Sequence, residues 1–264
     1  MQFKLNSIQE VLLFLSIFSI FAIYKNPSTG VFVHLATTIG FSVILFYLFT
    51  FLSKKKKLLS NTLITSFILF LILHYFTQNQ NIIYDLLVTF LAIFSKFFLE
   101  YKGSPIINPA TFACLIIGYI SRFFPIGSPL FVSWWGTAFG GYLSMILILP
   151  WLTYGVYRWE KLPTLISFLI TNAIMLFLLQ QNLELIKFIY TSSTIYFLGS
   201  IMLIDPKTSP FMRNQQIIYG LIAGITYPIF MKLNLPYFEL LAIATANIYF
   251  FTKKIIQIRK QKNA

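Results

Sequence analysis

The sequence predicts an all-α fold, a polytopic membrane helix bundle of about ten transmembrane helices with both termini cytoplasmic. Three observations carry this expectation. Of the 264 residues, 58% are hydrophobic and only 10% are charged, whereas soluble domains average roughly a quarter charged. The apolar residues fall into runs of membrane-crossing length separated by short polar breaks. The basic residues gather in alternate breaks.

A helix needs roughly 17 to 25 mainly apolar residues to cross the hydrocarbon layer. Runs at 8–24, 31–53, 59–77, 82–99, 110–124, 131–154, 163–180, 187–204, 215–231 and 236–252 meet or approach that length, the fifth being the shortest. With the N-terminus inside, sixteen of the 20 basic residues fall on the inner side, chiefly Lys54 to Lys57, Lys96, Lys102, Arg158, Lys161, Lys207, Arg213 and the tail from Lys253. Only Lys25, Arg122, Lys187 and Lys232 fall outside. Lys and Arg in short loops hold those loops in the cytoplasm, and deleting the fifth crossing would move the basic tail outside. The first run lacks a small-residue cleavage signature and reads as a retained helix. The expectation is a single integral domain, 1–264, in the inner (cytoplasmic) membrane, with the lipid bilayer as its first partner.

The net charge of +13 follows from these topology signals, so no nucleic-acid partner is expected. Cys114 is the single cysteine, which excludes an intramolecular disulfide and a Cys-rich metal centre. His34 and His74 lack metal-ligand spacing, so no metal site is assigned. No nucleophile-base-acid set, phosphate loop or dinucleotide fingerprint is present, so no catalytic residue is assigned.

Two breaks carry the polar chemistry. Prolines and a glycine interrupt 103–111, where Pro109 removes a backbone donor and disfavours helix at Asn108. Asp205-Pro-Lys-Thr-Ser-Pro210 interrupts 205–210 with a similar polar-Pro-x-Thr pattern. Both lie on the expected inner face, and Asn108 or Asp205 would cap a helix N-terminus. Non-helical backbone near membrane depth belongs where protein buries it or a polar cavity needs it. Further along, Ser133-Trp-Trp-Gly-Thr137 lies near the outer end of the sixth run, with Trp134 and Trp135 read as interfacial anchors. Asp85, near the outer end of the fourth run, is a better ion-path candidate than Glu239 near that of the tenth.

Over 90–250 the sequence resembles the membrane subunit shared by sodium-pumping NADH:quinone reductases and Rnf electron-transport complexes (the NqrB/RnfD family). The likeness rests on Lys96 with its Gly-containing loop, Asn108-Pro-Ala110, Met202-Leu-Ile-Asp-Pro206, Gln216, Tyr219-Gly220 and Gly224. It implies a multi-pass subunit of a flavin-associated electron-transfer translocase, coupled to sodium or protons and partnered by other membrane redox subunits. By the same resemblance Lys96, Asn108, Pro109, Asp205, Tyr219 and Gly220 would bind or adjoin riboflavin or FMN, the cofactor carrying the redox chemistry, and Asp205 would also be an ion-path position beside it. The family's Ser-Gly-Ala-Thr flavinylation motif is absent; Thr137 stands at about the corresponding place without it, which argues against covalent FMN. Pro105 stands where the family tends to carry a further Asn. Two other readings stay open, a small-solute channel or carrier of urea-transporter-like architecture and a cofactor-free scaffold for redox partners.

Overall fold

The computed structural model describes residues 6–73, 82–124, 129–137 and 142–263; His74 lies outside them. Within that range the chain is nearly all-α. Eleven helices follow one another: α1 (Ser7–Lys25), α2 (Thr29–Ser53), α3 (Leu59–Ile72), α4 (Ile82–Phe98), α5 (Pro109–Phe123), α6 (142–158), α7 (Leu162–Gln180), α8 (Leu183–Thr191), α9 (Ser193–Leu203), α10 (Arg213–Lys232) and α11 (Phe238–Asn263). Between α4 and α5, β1 (Glu100–Tyr101) and β2 (Ser104–Pro105) form a minimal antiparallel hairpin turned by Gly103 at φ 78°.

Local chemistry explains the helix starts. Asn6 and Gln9 form a reciprocal capping box on α1, with backbone to side-chain distances of 2.9 and 3.0 Å, satisfying two donors that a helix start leaves open. The Asn182 side chain accepts from Leu185 N at 3.0 Å to open α8. The Asn108 side chain accepts from Ala110 and Thr111 N at 3.1 and 3.3 Å to open α5, with Pro109 in its first turn, where a missing N–H costs nothing.

Three helices widen into a π turn: α2 at Ala36–Gly40, α6 at Trp151–Gly155 and α9 at Leu198–Leu203. In α6 the turn follows Pro150, whose ring removes a helical donor. Among the described residues, α1, α2 and α7 are long and apolar enough to cross a membrane, and α8 with α9, bent by 60°, makes a fourth candidate. On α7, Ile166, Ile170 and Ile174 are each at least half exposed at four-residue spacing, a continuous apolar ridge turned away from the protein.

Three expectations about the apolar runs change. The run at 131–154 is helical only from 142 among the described residues, because the backbone at Ser133, Trp134 and Gly136 instead donates to Ile72 O and Leu71 O at 3.0 Å. A Cβ on Gly136 would come within 3.0 Å of Leu71 Cα, so only glycine permits this approach. The run at 187–204 breaks at Ser192, whose side chain caps α9 through Thr194 N at 3.2 Å. The two tryptophans are packed into the protein: Trp134 is 5% exposed, and Trp135 Nε1 donates to Phe70 O at 2.7 Å.

Helix packing sets the frame. Gly220 and Gly224 let α10 press onto α7; a Cβ on Gly224 would meet Phe168 O at 2.8 Å. α11 packs on the neighbouring side of α10, α4 on α5, and α1 on α3. Loop lysines tie the frame at one end. Lys55 Nζ donates to Phe97 O at 2.6 Å, and Lys57 Nζ donates to Lys96 O, placing cations on the carbonyls that end α4.

Candidate functional site

The starts of α1, α3 and α5, the ends of α4, α6 and α9, the hairpin and the 205–211 turn meet at one end of the bundle. They enclose a cavity of about 390 Å³, within the usual size range of small-molecule sites. Ile8, Val11, Ile64, Ile68, Ile201 and Trp151 supply apolar wall, and Lys57, Lys96, Arg158, Lys161 and Lys207 supply basic wall. Glu100 and Asp205 are the acidic residues of the lining.

Four of the residues named from sequence, Lys96, Asn108, Pro109 and Asp205, wall this cavity together. Asn108 is the joint between the two breaks. Its Nδ2 donates to Met202 O and Asp205 Oδ2, each at 3.4 Å, while its Oδ1 caps α5. Asp205 does not cap α10, which starts eight residues later at Arg213. Its Oδ1 accepts from Lys207 N at 3.0 Å and its backbone carbonyl accepts from Thr208 and Ser209 N. The carboxylate therefore closes a turn, because residues 206–212 must pass around the cavity before the next helix begins.

Tyr219 stands one step behind the wall. Asn247 Nδ2 donates to the Tyr219 hydroxyl, and Asn247 Oδ1 accepts from Asn108 N at 2.9 Å. Gly220 is a residue of α10 packed onto α7, where an added Cβ would strike Thr164 and Ser167. Neither Tyr219 nor Gly220 lines the cavity.

Glu100 bridges Lys55 and Lys57 at 2.6 Å each. Partial burial pushes its carboxyl up, and the two ammonium hydrogen bonds more than offset this, leaving it below the usual carboxylate range. Lys161, only 1% exposed, donates to Pro210 O at 2.6 Å and lies 4.4 Å over the Phe211 ring. Burial lowers its pKa to about 8, against an opposing pull from the Asp205 charge. Trp151 meets Trp159 edge-on at 5.4 Å and donates Nε1–H to Ser200 O at 2.9 Å.

Thr137 lies elsewhere. The cavity is lined along α3 from Asn61 to Ile68, while the stretch of chain leading to Thr137 docks on Leu71 O and Ile72 O in the last turn of α3, and Thr137 is not among the lining residues. Thr137 is fully buried. Its hydroxyl donates to Trp134 O at 2.9 Å and pairs with Thr194 Oγ1 at 3.0 Å.

Asp85 is at that same far end, not beside Asp205. Its Oδ2 meets His34 Nδ1 at 2.8 Å, with both side chains fully buried. His34 Nε2 lies 3.1 Å from Phe70 O, and a carbonyl only accepts, so Nε2 carries a hydrogen. Sequence reasoning placed the two residues in separate helices; only packing brings them together. Among the described residues, no three His, Cys, Asp or Glu side chains gather in a form able to hold a metal.

Sequence reasoning missed Asn247, Lys161, Trp151, Trp159 and Glu100. An asparagine amid the apolar residues of α11 was the available signal for the first, since a buried amide demands partners. The others reach the cavity from helix ends and loops whose convergence no local pattern encodes.

Among the described residues, fold and cavity define a nearly all-α protein with an apolar outward ridge on α7 and a basic, amphipathic cavity at the end where its lysine-bearing loops converge. Compared with known proteins, the chain matches no protein-family model and no curated protein sequence.

Proposed function

We propose that the chain is a membrane subunit of a flavin-associated electron-transfer system, with the cavity as its flavin site on the cytoplasmic side. One observation carries the reading: Lys96, Asn108, Pro109 and Asp205, from two separate proline-broken segments, wall a single amphipathic cavity. Apolar and aromatic wall suits a flat ring system, and a few placed polar groups orient it, as in small-molecule sites generally. The protein would position the ring and tune its potential, while the flavin supplies the redox chemistry. Electrons would arrive from and leave to other membrane subunits, with sodium or protons as the coupled ion.

The membrane part of the proposal is ten crossings with both termini cytoplasmic. It is supported by the exposed ridge of α7 and by the gathering of Lys57, Lys96, Arg158, Lys161 and Lys207 at one end of the helices, the charge asymmetry that orients membrane proteins.

Absorption and fluorescence of detergent-purified protein test the function. A flavin spectrum that bleaches on reduction, with the flavin released by acid precipitation, is the expected result. A folded, colourless preparation that takes up neither riboflavin nor FMN overturns it.

A further inference from the structure

The cavity offers donors and charge out of proportion to the acceptors available. Arg158 is paired with Glu10, and Glu100 with Lys55 and Lys57. Lys96 and Lys161 form no salt bridge among the described residues. Each spends one N–H on a backbone carbonyl, Asn61 O for Lys96 and Pro210 O for Lys161, and an ammonium has three. Asp205 acts on both lysines through its charge but forms a salt bridge with neither among the described residues; its carboxylate accepts from Asn108 Nδ2 and Lys207 N. Counting Lys207, three lysines face the Asp205 carboxylate, and Glu100 is shared by two more, so positive charge is in excess around the cavity.

An independent observation points the same way. Trp159 lines the cavity, and its buried Nε1–H has no acceptor among the described residues. A buried donor without a partner is costly, so a ligand that brings an acceptor to it is favoured.

We propose that the cavity holds its ligand through a phosphate-class anion placed among Lys96, Lys161 and the Trp159 indole, with the ligand's apolar body against Trp151 and the isoleucine wall. The inference rests on the flavin reading and sharpens it: the bound flavin is non-covalent FMN, and riboflavin, lacking the phosphate, binds less well. A phosphate monoester carries close to two negative charges near neutral pH, opposite in sign to that excess. Charge-assisted hydrogen bonds to such a group are roughly twice as strong as neutral ones. The same chemistry is present in the headgroup of phosphatidic acid.

The test uses full-length protein in detergent, stripped of flavin and titrated with FMN, riboflavin and short-chain phosphatidic acid. FMN is expected to bind at least about tenfold tighter than riboflavin, a difference of about 1.4 kcal/mol, and inorganic phosphate should compete with FMN. Lys161→Gln should weaken FMN binding several-fold more than riboflavin binding and so remove most of the FMN preference, and Lys161→Arg should restore it. Lys96→Gln provides the same readout from the other side of the cavity. Equal binding of FMN and riboflavin, or a parallel loss of both in the variants, overturns the anion site and leaves the flavin reading intact. Binding of phosphatidic acid without either flavin, abolished in Lys161→Gln, supports the anion site and overturns the flavin reading. Binding of none of the three overturns both.

Discussion

Asn247 Oδ1 accepts the backbone N–H of Asn108 at 2.9 Å, joining residues 139 positions apart. The bond anchors the non-helical end of the 103–111 break to the interior of α11. Asn247 also donates to Thr208 O at 3.4 Å and to the Tyr219 hydroxyl, so one amide holds both breaks that wall the cavity.

Asn247→Leu should strand Asn108 N and the Tyr219 hydroxyl in a buried setting. The expected cost is about 1–3 kcal/mol per abandoned group, read as a lower thermal unfolding midpoint in detergent. Because the cavity wall loses its anchor, ligand affinity should fall as well. Unchanged stability would show that the amide is not the anchor.

The His34–Asp85 pair predicts a non-additive double-mutant cycle. His34→Leu or Asp85→Leu alone leaves a polar partner in an apolar interior, at a cost of about 3–5 kcal/mol. The double variant should lose less than the sum of the two single losses, since the contact between the two side chains is removed only once. Additive losses would mean that the contact contributes no coupling. Thr37 and Thr38 hydroxyls both donate to His34 O, at 3.0 and 2.7 Å, at the mouth of the π turn in α2, so the histidine backbone is held as firmly as its ring.

Gly220→Ala should push α10 from α7. The added methyl would meet Phe168 N at 3.0 Å and strike the Thr164 carbonyl, neither able to rotate away. Overpacking of this kind costs about 1–3 kcal/mol. Gly40→Ala is the control, with nothing within 4 Å of its added Cβ. Thermal midpoints of the two variants should move apart; a common shift would contradict the packing argument.

Lys161 predicts a pH dependence. Its folded pKa is depressed to about 8 from 10.5, chiefly by burial, with the Asp205 charge opposing. The folded protein therefore sheds this proton before the unfolded chain does, and the contribution to apo stability is present above 10.5 and lost as pH falls through about 8. Anion binding has the opposite preference, because it needs the ammonium. FMN affinity should fall as pH rises through about 8, with proton uptake on binding near that pH, measured by titration calorimetry in buffers of different ionisation heat. The cavity also faces Lys57, Lys96, Lys207, Arg158 and Glu100, so Lys161→Arg is the control that should flatten this step. A step unchanged in that variant assigns it to another group.

The helix positions were legible in the sequence because hydropathy, proline and capping asparagine act over a few residues. Asn108 is the clearest instance: an Asn-Pro step predicts a helix start, and the side chain caps α5. Asp205-Pro has the same local look, yet its carboxylate closes a turn, because the distance to the next helix is set by how α9 and α10 pass the cavity. The sixth run shows the other limit. Residues 133–136 are apolar enough to read as membrane helix, but the helix-end carbonyls of Leu71 and Ile72 in α3 offer hydrogen bonds that a continuous helix would forgo.

By itself the sequence determined an all-α chain, the places where its apolar helices break, and the sign of the charge at alternate ends. Those properties follow from each residue's own hydrophobicity and backbone preference. Tertiary structure alone decided that Lys161, Trp159 and Asn247 join the Asn108 and Asp205 breaks around one cavity, and that His34 finds Asp85. Such meetings depend on helix rotation and tilt, which close packing at Gly220, Gly224 and Gly136 sets to within an atom's width, and no local periodicity encodes them.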